Sequence, residues 1–276
     1  MTPVALTIAG SDSGGGAGIE MDLKVFAALG AFGTCAVTAL TAQNTVGVLG
    51  AWEAPSDFVA AQIAAVLDDL PVAAAKTGML SSVAIVRAVA AMLRERPVPA
   101  LVVDPVVIAK DGTHLLSEAG LAAVREELLP LATVVTPNLL EAEALTGLAV
   151  KSEQEALRAA EKLQITGCAW VLLKGGHGQG EVVTDLLLGP EGPQALSSPR
   201  IPGGPFHGTG CALSAAITAY LARGLSVPEA VFAAREFLHG LTRDSLALGQ
   251  GARVLHPCSP SLDPRPETLN PGDPHA

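Results

Sequence analysis

The chain has 276 residues, 49% of them hydrophobic, which is enough apolar material for one large core or two small domains. Its formal charge is -10 and no Lys/Arg cluster is present, which argues against a nucleic-acid partner while leaving room for one phosphorylated ligand. No apolar run is long enough to span a bilayer and no basic leader precedes the first apolar run, so a cytoplasmic protein with no membrane partner is expected. Cys35, Cys168, Cys211 and Cys258 lie far apart without a CxxC pair, against a zinc site or a disulfide framework.

In chain order, strand-like and helix-like runs alternate. Val4–Ala9 reads as a strand, Gly10–Gly18 as a glycine-rich loop, and Ile19–Leu29 as a helix from the spacing of Ile19, Leu23, Phe26 and Ala27. Thr34–Leu40 and Val46–Ala51 read as strands, and Ser56-Asp57 caps a helix running to about Leu70. Ala73–Lys76 is a short buried strand, Ser81–Arg94 a helix, Ala100–Asp104 a strand, Ser117–Leu129 a helix and Ala132–Thr136 a strand. Asn138 caps a helix through Leu145 that Gly147 stops. Glu153–Gln164, Thr209–Arg223 and Pro228–Leu246 complete the helices, and Ala169–Lys174 and Val182–Leu188 complete the strands. Apolar strands between amphipathic helices predict an α/β fold with a mostly parallel sheet covered on both faces. Residues 1–256 read as one domain, and the Pro-rich, polar stretch 257–276 reads as a disordered tail. The loops Gly10–Gly18, Thr41–Thr45, Lys76–Met79, Asp104–Gly112, Thr136–Glu141 and Lys174–His177 all follow strands, so they are expected on one sheet edge, where α/β proteins bind ligands.

The stretch Gly208-Thr-Gly-Cys211 precedes an Ala-rich helix, so its backbone N–H groups and the helix dipole together make an anion hole; a lone GTG would read as an ordinary glycine N-cap. A dinucleotide fingerprint fails because the third glycine position falls at Ile19, and no lysine follows a glycine as a P-loop requires. Asp12 suits turn chemistry as well as a ligand contact. Asp22, on or beside a buried helix face, needs either a ligand amine or an internal hydrogen bond. Gln43 carries a donor and an acceptor that suit the edge of a nitrogen heterocycle, or a loop backbone equally well. Asn138 and Glu141 form a capping box, or else organise a nucleotide-bound magnesium through water. Lys174, ending an apolar strand beside two glycines, suits a phosphate contact.

Taken together, eight stretches resemble one family. They are Gly10-Ser-Asp-Ser-Gly-Gly-Gly-Ala-Gly-Ile19, Asp22-Leu-Lys24, Thr38–Thr45, Lys76-Thr-Gly-Met-Leu80, Asp104-Pro-Val-Val107, Thr136–Ala142, Lys174-Gly-Gly-His177 and His207-Gly-Thr-Gly-Cys211. From about Thr7 to about His256 the chain resembles the hydroxymethylpyrimidine/phosphomethylpyrimidine kinases of thiamine biosynthesis, in the ribokinase superfamily. The resemblance implies a ribokinase-like three-layer αβα sandwich, a homodimer, and ATP with Mg²⁺ as cofactors for a small-molecule substrate. It implies that Gly208, Thr209, Gly210 and Cys211 stabilise the transferring phosphoryl group, with Cys211 where sugar kinases carry an aspartate base. Gly10, Asp22 and Gln43 match pyrimidine-binding positions, with Val106 and Met79 walling the ring. Lys174, Asn138 and Glu141 match nucleotide-side positions, and Asp104 lies near the magnesium network. Two departures from the family's usual pattern are Gly14 for a serine and Glu20-Met21 for Gln-Ala.

The helix N-terminus is expected to lower the Cys211 thiol pKa, making it a base for the substrate hydroxyl, so that its loss hurts the first phosphorylation more than the second. Three other readings stay open. A pyridoxal kinase of the same superfamily is the nearest, a non-catalytic pyrimidine-binding regulator is next, and a nicotinamide dehydrogenase is last.

Overall fold

The structure is a computed structural model that describes residues 2–107, 116–176 and 180–257. The tail expected after Pro257, the end of the Asp104–Gly112 loop and His177 lie outside the described residues. In chain order the elements are β1 (Val4–Ala9), α1 (Gly18–Ala28), β2 (Phe32–Val37), β3 (Ala39–Gln43), β4 (Val48–Glu53), α2 (Ser56–Leu67), β5 (Val72–Thr77), α3 (Val83–Glu95) and β6 (Leu101–Val103). There follow α4 (Glu118–Ala123, continued by a π turn over Val124–Leu128), β7 (Val134–Val135), α5 (Leu139–Thr146), α6 (Glu153–Gln164), β8 (Trp170–Leu173), β9 (Val182–Gly189) and β10 (Gly192–Pro199). The described residues close with β11 (Phe206–His207), α7 (Thr209–Ala222), α8 (Val227–Arg243) and β12 (Arg253–Val254).

Among the described residues, eight strands form one sheet in the order β10-β9-β8-β7-β6-β5-β1-β2. From β2 to β8 the strands run parallel, and β9 and β10 are antiparallel additions at one edge. The mostly parallel sheet read from the sequence is therefore present, and it is buried on both faces. One face carries Val59, Ile63, Ile85, Val89, Leu145 and Leu163 from α2, α3, α5 and α6. The other carries Met21, Phe26, Ile217 and Val231 from α1, α7 and α8. This is a three-layer αβα sandwich. The chain leaves β1 to one side for β2 and returns on the other side for β5, so a crevice opens beyond the carboxyl ends of β1 and β5, where such sheets bind ligands.

The single strand expected over Thr34–Leu40 is two. Thr38 N–H still donates to Ala9 O, but the buried Thr38 hydroxyl donates to Met79 O and the chain turns out of the sheet there. β3 then pairs antiparallel with β4, from Ala39↔Glu53 to Gln43↔Val48, as a hairpin apart from the main sheet. β10 escaped the sequence reading because Gly192, Pro193 and Pro199 break any strand pattern; an edge strand tolerates them since one side needs no ladder partner.

Candidate functional site

The loop after β1 owes its shape to glycine and to Asp12. Gly18 opens α1 at φ +58, and a Cβ there would stand 2.4 Å from Gly10 O. The Asp12 carboxylate accepts from Gly14 N–H at 2.8 Å and from Gly16 N–H at 3.0 Å, so turn chemistry is what this residue performs in the structure. His207 Nε2 lies 2.9 Å from Asp12 Oδ2. Burial pushes the Asp12 carboxyl up, but His207 and the two glycine N–H groups outweigh it and hold the pKa below the ordinary carboxylate value. Asp12 N–H donates to Glu20 Oε2 at 2.7 Å, so one departure from the family pattern holds the loop from behind. The other, Met21, is fully buried in the core and does not enter the crevice.

Facing this loop is the start of α7. Gly208 caps the helix at φ +80, and a Cβ on it would stand 1.8 Å from Gly16 O. The two glycine segments thus touch backbone to backbone. The first bond within the helix runs from Ala212 N–H to Gly208 O, which leaves the N–H groups of Thr209, Gly210 and Cys211 ahead of it. Those groups lie at the positive end of the helix dipole, the geometry that an anion hole would require. The expected thiolate is corrected. Burial pushes the Cys211 thiol up to about 11, and Asp22 and Asp104 push the same way, against Lys76 and the Gly18 N–H. Desolvation outweighs the helix terminus, so Cys211 is a neutral thiol near pH 7.

A group of buried charges lies alongside. Lys174 Nζ donates to Asp104 Oδ1 at 3.0 Å and stands 3.9 Å from Glu141 Oε2. Asp104 also accepts from Thr136 Oγ1 and Ser214 Oγ, each at 3.2 Å. A Cβ on Gly210 would be 3.5 Å from Lys174 Nζ and 3.8 Å from Asp104 Oδ2, which brings the anion hole and this group together. Burial raises Asp104, but Lys174 and Lys76 overcome it and leave the carboxyl below its ordinary value; by the same coupling Lys174 lies above its own. Asn138 and Glu141 form the capping box, with Glu141 N–H donating to Asn138 Oδ1 at 2.9 Å and Asn138 N–H to Glu141 Oε2 at 2.7 Å. Burial, helped by Asp104 and opposed by Lys174, pushes Glu141 up to about 7.

Asp22 is fully buried, and its partners are internal. Lys76 Nζ lies 2.9 Å from both carboxylate oxygens and Thr7 Oγ1 donates to Oδ2 at 2.7 Å. Of the two ways to satisfy Asp22, the structure shows the internal one. Burial pulls the Lys76 ammonium down, but the charges of Asp22 and Asp104 and the hydrogen bond to Asp22 outweigh it, so it stays charged. Gln43 sits at the end of β3 with Nε2 3.0 Å from His207 Nε2, so its amide faces the imidazole. Met79 Cε lies against Gly10, where a Cβ would approach to 2.4 Å. Val106 lines a small cleft with Thr77, Gly78 and Asp104 at the ends of β5 and β6. No motif or spacing in the sequence assigns a role to His207, Lys76 or Ser214. A lysine in the otherwise apolar strand Val72–Thr77 was the available signal, because a cation there requires a buried anion.

A mostly parallel αβα sandwich with an anion hole over its carboxyl edge and a buried Lys–Asp–Glu group beneath defines a ribokinase-like kinase. Residues 12–256 match the phosphomethylpyrimidine kinase family, and the chain belongs to that family. A hydroxymethylpyrimidine/phosphomethylpyrimidine kinase of Streptomyces coelicolor is 49% identical over 249 residues, covering 90% of this chain and 92% of the relative. The enzyme of the same description from Escherichia coli is 44% identical over 255 residues, covering 91% and 96%. Among solved structures, an ADP complex of Bacillus subtilis pyridoxal kinase superposes with a TM-score of 0.87 at 38% identity, covering 93% of this chain and 98% of that one. The phosphomethylpyrimidine kinase of Clostridium difficile superposes with a TM-score of 0.78 at 39% identity, covering 86% and 98%.

Proposed function

We propose that this kinase transfers the γ-phosphoryl group of ATP to 4-amino-5-hydroxymethyl-2-methylpyrimidine, and then a second one to the monophosphate, for thiamine diphosphate synthesis. The observation that carries the reading is the row of N–H groups of Thr209, Gly210 and Cys211 beside Lys174 and Asp104. Phosphoryl transfer needs alignment and charge stabilisation more than covalent chemistry, and this arrangement supplies both. The N–H groups hold the equatorial oxygens as charge develops, and Lys174, kept charged by Asp104 and Glu141, neutralises the nucleotide phosphates.

Among the described residues no cluster of three or more His, Cys, Asp and Glu side chains offers a direct metal cage. The oxygen donors present nevertheless fit Mg²⁺, which keeps most of its waters and leans on substrate phosphates. Asp104 and Glu141 face one lysine, so once Glu141 ionises, above a pH of about 7, a negative charge is left for a cation to offset. Glu141 would hold it through water, with Asp104 fixing the surroundings; the metal, when bound, supplies charge neutralisation at the phosphates.

Cys211 contributes its backbone N–H and its bulk rather than a thiolate base. Met79, Val106 and Gly10 form the wall beside which Gln43 reads the heterocycle, and Asp22 acts through Lys76 behind it. A homodimer is part of the reading, because the β3–β4 hairpin leaves Leu40, Val48, Leu49 and Trp52 exposed and a second copy would cover them; sedimentation reads this directly. The likeness to pyridoxal kinase structures keeps a second acceptor in view, since pyridoxal also carries a hydroxymethyl group on a nitrogen heterocycle. Turnover with each acceptor separates the two: the proposal requires hydroxymethylpyrimidine to have the larger kcat/KM.

A further inference from the structure

His207 stands one residue before Gly208, and its imidazole joins three segments. Its Nε2 lies 2.9 Å from Asp12 Oδ2, on the carboxylate that shapes the glycine loop, and 3.0 Å from the amide Nε2 of Gln43 on the hairpin. The ring also packs on the loop backbone, because a Cβ at Gly16 would stand 2.5 Å from His207 Cδ2. Loop and hairpin are joined a second time through Ser13, whose hydroxyl accepts from Gln43 N–H at 2.8 Å and donates to Gln43 O at 2.7 Å. The circuit closes at the turn of the hairpin. Thr45 O accepts from Ala252 N–H, and the next residue begins β12, which pairs with the β11 strand that carries His207.

One ring nitrogen between a carboxylate and an amide has a defined sense. An ionised carboxylate only accepts, so Nε2 bears the proton. An amide NH₂ facing that N–H is repelled, whereas the amide oxygen shares it, and the end of a glutamine amide is fixed by such a network. Turned over from the orientation in the structure, so that its oxygen takes the imidazole proton, the Gln43 amide has its NH₂ left for another acceptor.

We propose that His207 is a positioning residue that fixes the hydrogen-bonding sense of Gln43, so that Gln43 offers a donor to a ring nitrogen of the heterocycle while Asp12 keeps the glycine loop in register with the anion hole. This rests on the kinase reading above. His207→Ala frees the amide and the loop together, and a misplacement of about 1 Å costs about 10²-fold.

The test is steady-state kinetics with MgATP and hydroxymethylpyrimidine on His207→Ala, His207→Gln, Gln43→Ala and the double variants. The expected result is an approximately 10²-fold fall in kcat/KM for hydroxymethylpyrimidine with KM for MgATP within about twofold. His207→Gln, whose amide N–H reaches Asp12, should recover about tenfold of it, and Gln43→Ala should add less than about threefold in the His207→Ala background. Equal rises in both KM values, or fully additive losses, overturn the proposal. If His207→Ala does not fold, the cycle of His207→Gln with Gln43→Ala reads the same coupling. Wild-type chain that turns over pyridoxal alone rejects the substrate reading instead, and the same cycle run with pyridoxal then decides the role of His207.

Discussion

Gly208→Ala probes the contact that holds the two glycine segments together. The residue has φ +80, where an L side chain is strained by about 1–2 kcal/mol. Its new Cβ would begin 1.8 Å from Gly16 O, and real Cβ atoms essentially never come closer than 3.0 Å, so the segments must part by roughly 1.2 Å. A displacement of that size at a site of aligned phosphoryl transfer costs about 10²-fold in rate. The strain alone lowers Tm by about 2–8 °C for a chain of this size. Gly210→Ala is the control. Its Cβ would meet nothing nearer than Lys174 Nζ at 3.5 Å, so the unliganded fold accepts it, while under the proposed function the methyl group would crowd the transferring phosphoryl group. Thermal unfolding and kcat/KM for both phosphorylations should therefore show Gly208→Ala losing stability and activity and Gly210→Ala losing activity alone. Full activity in Gly208→Ala would refute the backbone contact as the element that aligns the hole.

Three further outcomes follow from the buried charges. Lys76→Ala strands Asp22 without its cation and should cost about 3–5 kcal/mol, near 10 °C in Tm, whereas Lys76→Met with Asp22→Leu should recover more than half; an unchanged Tm in the single variant contradicts the pair. Asp12 has a folded pKa below its ordinary value, so its contribution is present at neutral pH and lost as pH falls through the region below about 4. Urea unfolding from pH 5 to pH 3 should thus fall more steeply for wild type than for Asp12→Asn, and equal slopes would count against the Asp12 contacts. For Cys211, a thiol near 11 should be alkylated at pH 7 some 300-fold more slowly than an ordinary thiol of pKa about 8.5, in a chain with Cys35, Cys168 and Cys258 replaced by alanine. An inflection below pH 9 would restore the thiolate, and with it the expectation that Cys211→Ala spares the second phosphorylation; the neutral thiol predicts similar losses in both.

The fold was legible because its signals are local. Val4–Ala9 and Glu153–Gln164 match their expected bounds, since an apolar run ended by glycine and a capped amphipathic period need no tertiary information. The glycine-capped helix start at Gly208 was legible for the same reason, although a lone GTG reads equally as an ordinary N-cap and only its company of motifs pointed to an anion. What stayed hidden depends on contacts across the chain. The hairpin of β3 and β4 leaves the sheet because of Thr38 and Met79, 41 residues apart. Asp22 stays open between a ligand amine and an internal hydrogen bond until Lys76, 54 residues on, is placed against it. The Cys211 thiol follows the helix dipole in sequence and desolvation in the fold, and only the burial decides between them. His207 lies 195 residues from Asp12, and no spacing rule joins them.

The central claim is a kinase that phosphorylates one pyrimidine twice through the Gly208–Cys211 hole. Mass spectrometry of the products formed from MgATP and hydroxymethylpyrimidine tests it most directly, with Lys174→Ala run beside the wild type. The account predicts monophosphate first and diphosphate after it, with both nearly abolished in the variant. Pyridoxal phosphate formed from pyridoxal, with no product from hydroxymethylpyrimidine, would contradict it.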